Sequence, residues 1–161
     1  MTEAADQIGI ALQVSNLLAD YVDCIDGDAL ESWPGFFRDD GRYRITTANS
    51  VAQELPIGIV QCDNRAMMMD RVAALRRANV YEAQAYRHLI SAIRVTGHAD
   101  GLIEAKASFL VARILRDGRQ DLFATGCYLD KVDLAGPRPR YAEKLVVLDS
   151  DKIDTLLALP L

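Results

Sequence analysis

Histidine is nearly missing from this chain. Only His88 and His98 occur among 161 residues, so metal or acid–base chemistry has few places to reside. Cysteine is also scarce. Cys24, Cys62 and Cys127 are odd in number, lie far apart and form no C-x-x-C pair. That excludes a disulfide framework and points to a reducing cytoplasm. No apolar run approaches the roughly 20 residues that cross a bilayer. The opening "MTEAADQIGIALQVS" carries acids instead of a basic n-region, which excludes a secretory signal. Basic excess is lacking too. A net charge of −5 argues against a nucleic-acid groove. Neither a G-x-S-x-G elbow nor a phosphate loop appears, and "TGHADG" has no lysine.

What is present reads as one domain over residues 1–161, long enough to bury a core without staples. Ile10, Val14, Leu17, Leu18, Tyr21 and Ile25 recur at spacings of three and four, predicting an amphipathic helix over about 6–25. Asp28 followed by Glu31 reads as a capping box for a short helical stretch that Pro34–Gly35 interrupts. "RYRITT" reads as the first strand, and residues 48–62 show no clean period. Asp63 or Asn64 is the expected N-cap of a third helix, whose inner face is Met68, Val72 and Leu75.

Long strands follow: "AYRHLISAIRV", "LIEAKASFLVARIL", "DLFATGCYLDKVDL" and "YAEKLVVLDS", with "TGHADG" as the first hairpin loop. Helices first and antiparallel strands second define an α+β fold, its helices on one face of a curved sheet. Within residues 102–115, Ile103, Ala105, Ala107, Phe109 and Val111 share one face and Glu104, Lys106 and Ser108 the other. In the next strand alternation groups Phe123 with Leu129, and Leu122 with Tyr128. A strand apolar on both sides needs two covers, so either a second subunit or the chain's own loops lie against it. The closing "DTLLALPL" is almost wholly apolar. It is expected to fold back as an edge strand or to dock on a partner.

Metal sites fail on geometry. A Rieske cluster requires paired C-x-H and C-x-x-H loops, and no Cys lies within three residues of a His. His88 and His98 are ten residues apart along a predicted strand, on the order of 30 Å at about 3.3 Å per residue, so they form no local ligand pair. Cys62 precedes a helix N-terminus, where the dipole favours a thiolate, although a structural cysteine is the commoner case. His88 could act as a general acid or base with Asp130 or Asp133, or it could be a half-buried histidine bonded to backbone or carboxylate. Arg65, Arg71, Arg76 and Arg77 give the third helix a basic side suited to solvent or to an ion-pairing interface. Met67, Met68 and Met69 read as flexible packing.

Taken in order, "DALESWPGFFRDDGRYRIT", "VQCDNRAMMMDRVAALRRANVYEAQAYRHLISAIRV", "DLFATGCYLDKV" and "DTLLALPL" resemble the small, or beta, subunit of aromatic-ring-hydroxylating dioxygenases. The resemblance spans about Leu17 to Leu161. It implies a cone-shaped fold similar to nuclear transport factor 2. It implies no catalytic, cofactor-binding or metal-binding residue on this chain. The Rieske [2Fe–2S] cluster and mononuclear Fe(II) would reside on a large alpha subunit in a three-plus-three hexamer, with a reductase acting indirectly and no membrane or nucleic acid involved. The acid-specific branches are most similar, the terephthalate type first, then the anthranilate, benzoate and salicylate types. "YEAQAYRH" departs from many relatives in lacking a Pro–His or Arg–His pair at positions 83–85. Arg76, Arg77, Tyr81, Arg87, Leu159 and Leu161 are the expected partner contacts, and the rival reading is a free-standing cone-fold enzyme using His88.

Overall fold

In the computed structural model, which describes residues 2–78, 83–153 and 157–161, a long helix and two shorter ones pack on a six-stranded sheet. α1 runs Thr2–Asp26, a 3₁₀ helix Leu30–Phe36, β1 Phe37–Thr47, α2 Ala48–Ala52, β2 Val60–Cys62 and α3 Arg65–Ala78. β3 (Gln84–Ala99), β4 (Leu102–Leu115), β5 (Gln120–Asp133) and β6 (Arg140–Leu148) follow. The sheet order is β2-β1-β6-β5-β4-β3, antiparallel except where β1 lies parallel to β6. α1 lies against β3 and the 3₁₀ helix, and α3 against β1 and the same 3₁₀ helix.

The predicted stripe of α1 is what it buries: Val14, Leu17, Leu18, Tyr21 and Ile25 are all in the core. Against the expectation that no apolar run is long enough, Ala4–Asp26 could cross a bilayer by length and composition. Its apolar stripe instead covers this chain's own sheet. Asn64 caps α3 as expected, its Oδ1 accepting the Met67 N–H at 3.0 Å, and Met68 and Val72 face inward. The alternating face of β4 is buried at all five expected positions.

Five other expectations need correction. The Asp28–Glu31 capping box does not form. Asp28 adopts φ +56°, and both carboxylates instead grip Arg76. "RDDG" lies within β1, which starts at Phe37, ahead of Arg42. "TGHADG" is mostly strand. The turn is only Asp100 and Gly101, both at positive φ (53° and 76°) between the paired Ala99 and Leu102, the geometry of a tight primed hairpin.

In β5 a bulge at Phe123 shifts the register between Val111–Ala124 and Ala112–Leu122. Phe123 thereby joins Tyr128 on the inner side, its ring 5.1 Å from Tyr86. Leu122 and Leu129 turn outward. The last residues, finally, add no strand: Leu157–Leu161 fold back into the core. Further register shifts between Ser91 and Arg94 and between Val95 and Gly97 bend the outer strand.

Candidate functional site

Among the described residues, three polar clusters stand out in the largely aromatic interior between the sheet's inner face and the helices. In the first, Asp26, at the end of α1, presents Oδ1 2.6 Å from His88 Nδ1, while its Oδ2 accepts the His88 backbone N–H at 2.9 Å. The His88 side chain is wholly enclosed and that of Asp26 is 4% exposed. With Nδ1–H donating to the carboxylate, Nε2 faces the interior without a partner among the described residues. This pair fastens the end of α1 to the sheet's edge strand. The histidine's acid is therefore Asp26, not Asp130 or Asp133. The signal was the "DGD" that ends the helix, which reads first as a terminator.

In the second cluster, Lys144 on β6 places Nζ 3.0 and 3.3 Å from the two carboxylate oxygens of Asp130 on β5. The ammonium stands 3.7 Å from the Tyr128 ring centroid and 4.5 Å from those of Tyr21 and Tyr141. Burial pulls the Lys144 ammonium down from its ordinary value and Asp130 pulls it back. Burial pushes Asp130 up and Lys144 opposes that. The rings replace part of the water that the ammonium has lost. Burial also lifts the Tyr21, Tyr128 and Tyr141 hydroxyls well above the usual phenol range. Sequence reading missed this pair because Lys144 sits in "YAEKLVV", where alternation alone gives no sign that the lysine faces inward.

The third cluster holds the tail. The Tyr21 hydroxyl donates to the Leu161 carbonyl at 2.8 Å, and the Tyr43 hydroxyl accepts the Leu161 N–H at 2.9 Å.

The two histidines stand far apart. His88 pairs with Val111 and His98 with Ile103, eight residues apart along β4, or roughly 26 Å at 3.3 Å per residue. His98 is exposed. Among the described residues no three His, Cys, Asp or Glu side chains converge to hold a metal. Cys62 ends β2 in the core, and burial pushes its thiol up, opposite to a reactive thiolate. A groove of about 480 Å³ lies outside, between α1, the 3₁₀ helix and Arg138–Pro139, and His88 and Lys144 do not line it.

The expected contact residues are dispersed. Arg76 is engaged within the chain, Nε at 2.7 Å from Glu31 and Nη1 at 2.9 Å from Asp28. Arg77 reaches the Ala73 carbonyl, and its residue is exposed. Arg87 is exposed on β3, 3.8 Å from Asp26. Leu159 and Leu161 are enclosed in the core. Tyr81 lies outside the described residues. More prominent is the sheet's outer face. Leu89 (56% exposed) and Leu122 (64% exposed) flank Leu110 and Ala112 of β4 next to Arg87, an apolar patch facing water.

A curved sheet closed over by N-terminal helices, with side chains filling its interior, defines the chain as a cone-fold protein of the nuclear-transport-factor-2-like class. The beta subunit of a candidate aromatic-ring-hydroxylating dioxygenase from Novosphingobium aromaticivorans superposes with a TM-score of 0.86 at 33% identity, covering all of both chains. The benzoate 1,2-dioxygenase beta subunit of Burkholderia mallei shares the fold, with a TM-score of 0.71 at 17% identity over 86% of this chain and 89% of that one.

In sequence, residues 22–155 match the family described as the ring hydroxylating beta subunit, and the chain belongs to that family. It is 39% identical to subunit beta 1 of the terephthalate 1,2-dioxygenase terminal oxygenase component of Comamonas sp., over 93% of this chain and 97% of that one. It is 36% identical to the anthranilate 1,2-dioxygenase small subunit of Burkholderia cepacia, over 88% of each.

Proposed function

We propose that this chain is the non-catalytic small subunit of a cytoplasmic, multicomponent aromatic-ring-hydroxylating dioxygenase. Its substrate would be an aromatic carboxylic acid of the terephthalate type. Its work is to support assembly of a large subunit that carries the Rieske [2Fe–2S] cluster and mononuclear Fe(II), in a three-plus-three hexamer fed by a reductase. Family membership and the names of the relatives support the class of reaction.

The observation that carries the division of labour is the donor set. Of two histidines, one is enclosed and bonded to Asp26 and the other is solitary on the surface, so neither iron group fits this chain. The outer face with Leu89, Leu122 and Arg87 supports contact with a large subunit, because an apolar patch ringed by polar residues is a common mark of an interface. The rival reading, a free-standing enzyme using His88, is disfavoured by the same enclosure: a base that no substrate can approach moves no proton.

The test is expression with and without the large subunit, followed by iron analysis, visible spectroscopy and turnover of terephthalate, anthranilate and benzoate. Alone, the chain is expected to hold no iron and turn over none of them. Together, the subunits are expected to co-purify as an iron-containing oxygenase. Turnover by the isolated chain, or a large subunit equally soluble and active without it, would defeat the proposal.

A further inference from the structure

Leu157–Leu161 belong to no strand, yet all five residues are buried, and Leu161 is completely enclosed. The stretch that leads to them opens with Asp149, Ser150, Asp151 and Lys152, all exposed and polar. An apolar pentapeptide thus follows a stretch that begins in solvent. It is held at both ends through its main chain. Arg71 of α3 donates from Nη2 to the Leu157 carbonyl. At the other end Tyr43 of β1 uses one hydroxyl twice, accepting the Leu161 N–H at 2.9 Å and donating to the Leu161 carbonyl at 3.3 Å. Tyr21 of α1 adds a second donor to that carbonyl at 2.8 Å. Side chains from three elements therefore read the backbone of one short segment, while Leu157, Leu159 and Leu161 fill the space between them. Main-chain hydrogen bonds that set register, with apolar pockets for side chains, are how proteins recognise separate peptides.

We propose that the space between α1, β1 and α3 is a binding site for a short apolar peptide, filled in cis by residues 157–161 and able to accept the same five residues in trans. The covalent link keeps the segment at a high effective concentration, so cis occupancy dominates. A second copy of the chain can supply the segment by exchange when that link is cut or strained. This inference does not depend on the dioxygenase assignment.

The test uses the whole chain, with a recognition sequence for a site-specific protease placed at Asp149–Lys152 and cleaved after folding. The probe is the peptide Leu-Ala-Leu-Pro-Leu carrying a fluorophore at its N-terminus. Trp33, the only tryptophan, lies 5.0 Å from the Tyr43 ring and reports from inside the site. The cut chain is expected to keep its circular dichroism and to take up labelled peptide one to one in exchange for its own segment. Tyr43→Phe removes the hydroxyl that bonds Leu161 in both directions, and is expected to weaken uptake tenfold or more. Should that variant not fold, Tyr21→Phe, which removes a single donor, is expected to weaken uptake about fivefold. The inference is overturned by a cut chain that unfolds, by one that stays folded yet takes up no peptide, or by hydroxyl-free variants that bind as well as the parent.

Discussion

Replacing Lys144 by Met keeps most of the side chain's length and removes only its charge and donors. Asp130, 5% exposed, would then lose both of its N–H contacts, at 3.0 and 3.3 Å, and stay buried as an unpaired carboxylate. Breaking a buried pair from one side costs about 3–5 kcal/mol. The attraction to three tyrosine rings, up to about 2 kcal/mol for a desolvated cation, is lost as well, while the dehydration of the ammonium is relieved. We expect a net loss of about 3–5 kcal/mol at neutral pH, a large part of the 5–15 kcal/mol typical of a domain. The double variant Lys144→Met/Asp130→Leu removes both charges, and should return to within about 1 kcal/mol of the parent or exceed it.

The pH dependence follows from the same contacts. Burial raises the Asp130 carboxyl and Lys144 opposes that, so without Lys144 its folded value stands further above the unfolded 3.8. A group raised in this way favours the fold below its unfolded value and loses that contribution as pH rises through the folded one. The single variant's deficit should therefore shrink as pH falls toward 4. Urea unfolding followed by Trp33 fluorescence and circular dichroism, at neutral and mildly acidic pH, measures all three. A deficit below about 1 kcal/mol at neutral pH, or a double variant as unstable as the single, would refute the reasoning.

Further perturbations test other parts of the fold. Tyr21, Tyr43, Tyr128 and Tyr141 are all raised above 10.0 by burial, so their stabilisation is complete below pH 10 and is lost above it. The loss is about 1.4 kcal/mol per group per pH unit, and cooperative unfolding with a burst of tyrosinate absorbance is expected by about pH 11. Gradual tyrosinate formation with native circular dichroism would count against it. At Gly126 a Cβ would lie 2.1 Å from the Val147 carbonyl oxygen and 3.0 Å from the Phe109 ring, so Gly126→Ala should cost about 3 kcal/mol or prevent folding, as read from the urea midpoint. Arg76→Ala removes ion pairs whose carboxylates are 64–69% exposed and should cost no more than about 1 kcal/mol by thermal melt. Leu122→Lys on the outer face should leave the isolated chain's melting point unchanged while reducing co-purification with the large subunit.

The parts of the fold that could be read in advance are those where one face is buried and the other wet. α1, α3 and the inner face of β4 carry periodic stripes because burial there depends only on local alternation. The misreadings fall where distant groups override a local pattern. Asp28 and Glu31 look like a cap only while Arg76, 45 and 48 residues away, is out of view. Alternation groups Phe123 with Leu129, and one bulge places it beside Tyr86 instead. Lys144 reads as surface because a lysine inside a core needs an acid, and Asp130 lies 14 residues earlier on a neighbouring strand. His88 was seen but its partner was not, since the link from α1 to β3 spans 62 residues. Each is a long-range electrostatic or packing choice that a short window does not contain.

The same choices decide what the interior holds. An interior suited to catalysis needs ionisable groups within reach of a substrate and a path by which the substrate arrives. Here the enclosed ionisable groups meet each other: Asp26 takes His88, and Asp130 takes Lys144. Tyrosine rings occupy the space around the lysine, and the chain's own apolar segment fills the room between α1, β1 and α3. Such pairs do little for net stability compared with apolar residues of equal volume, but they penalise every arrangement in which a charge is left alone. The Asp26–His88 pair therefore favours one seat of α1 on β3, and the Asp130–Lys144 pair one register of β6 on β5. On the opposite face of the sheet Leu89 pairs with Leu110 and Leu122 with Ala112, so the register that seats these buried pairs also fixes where the exposed leucines stand.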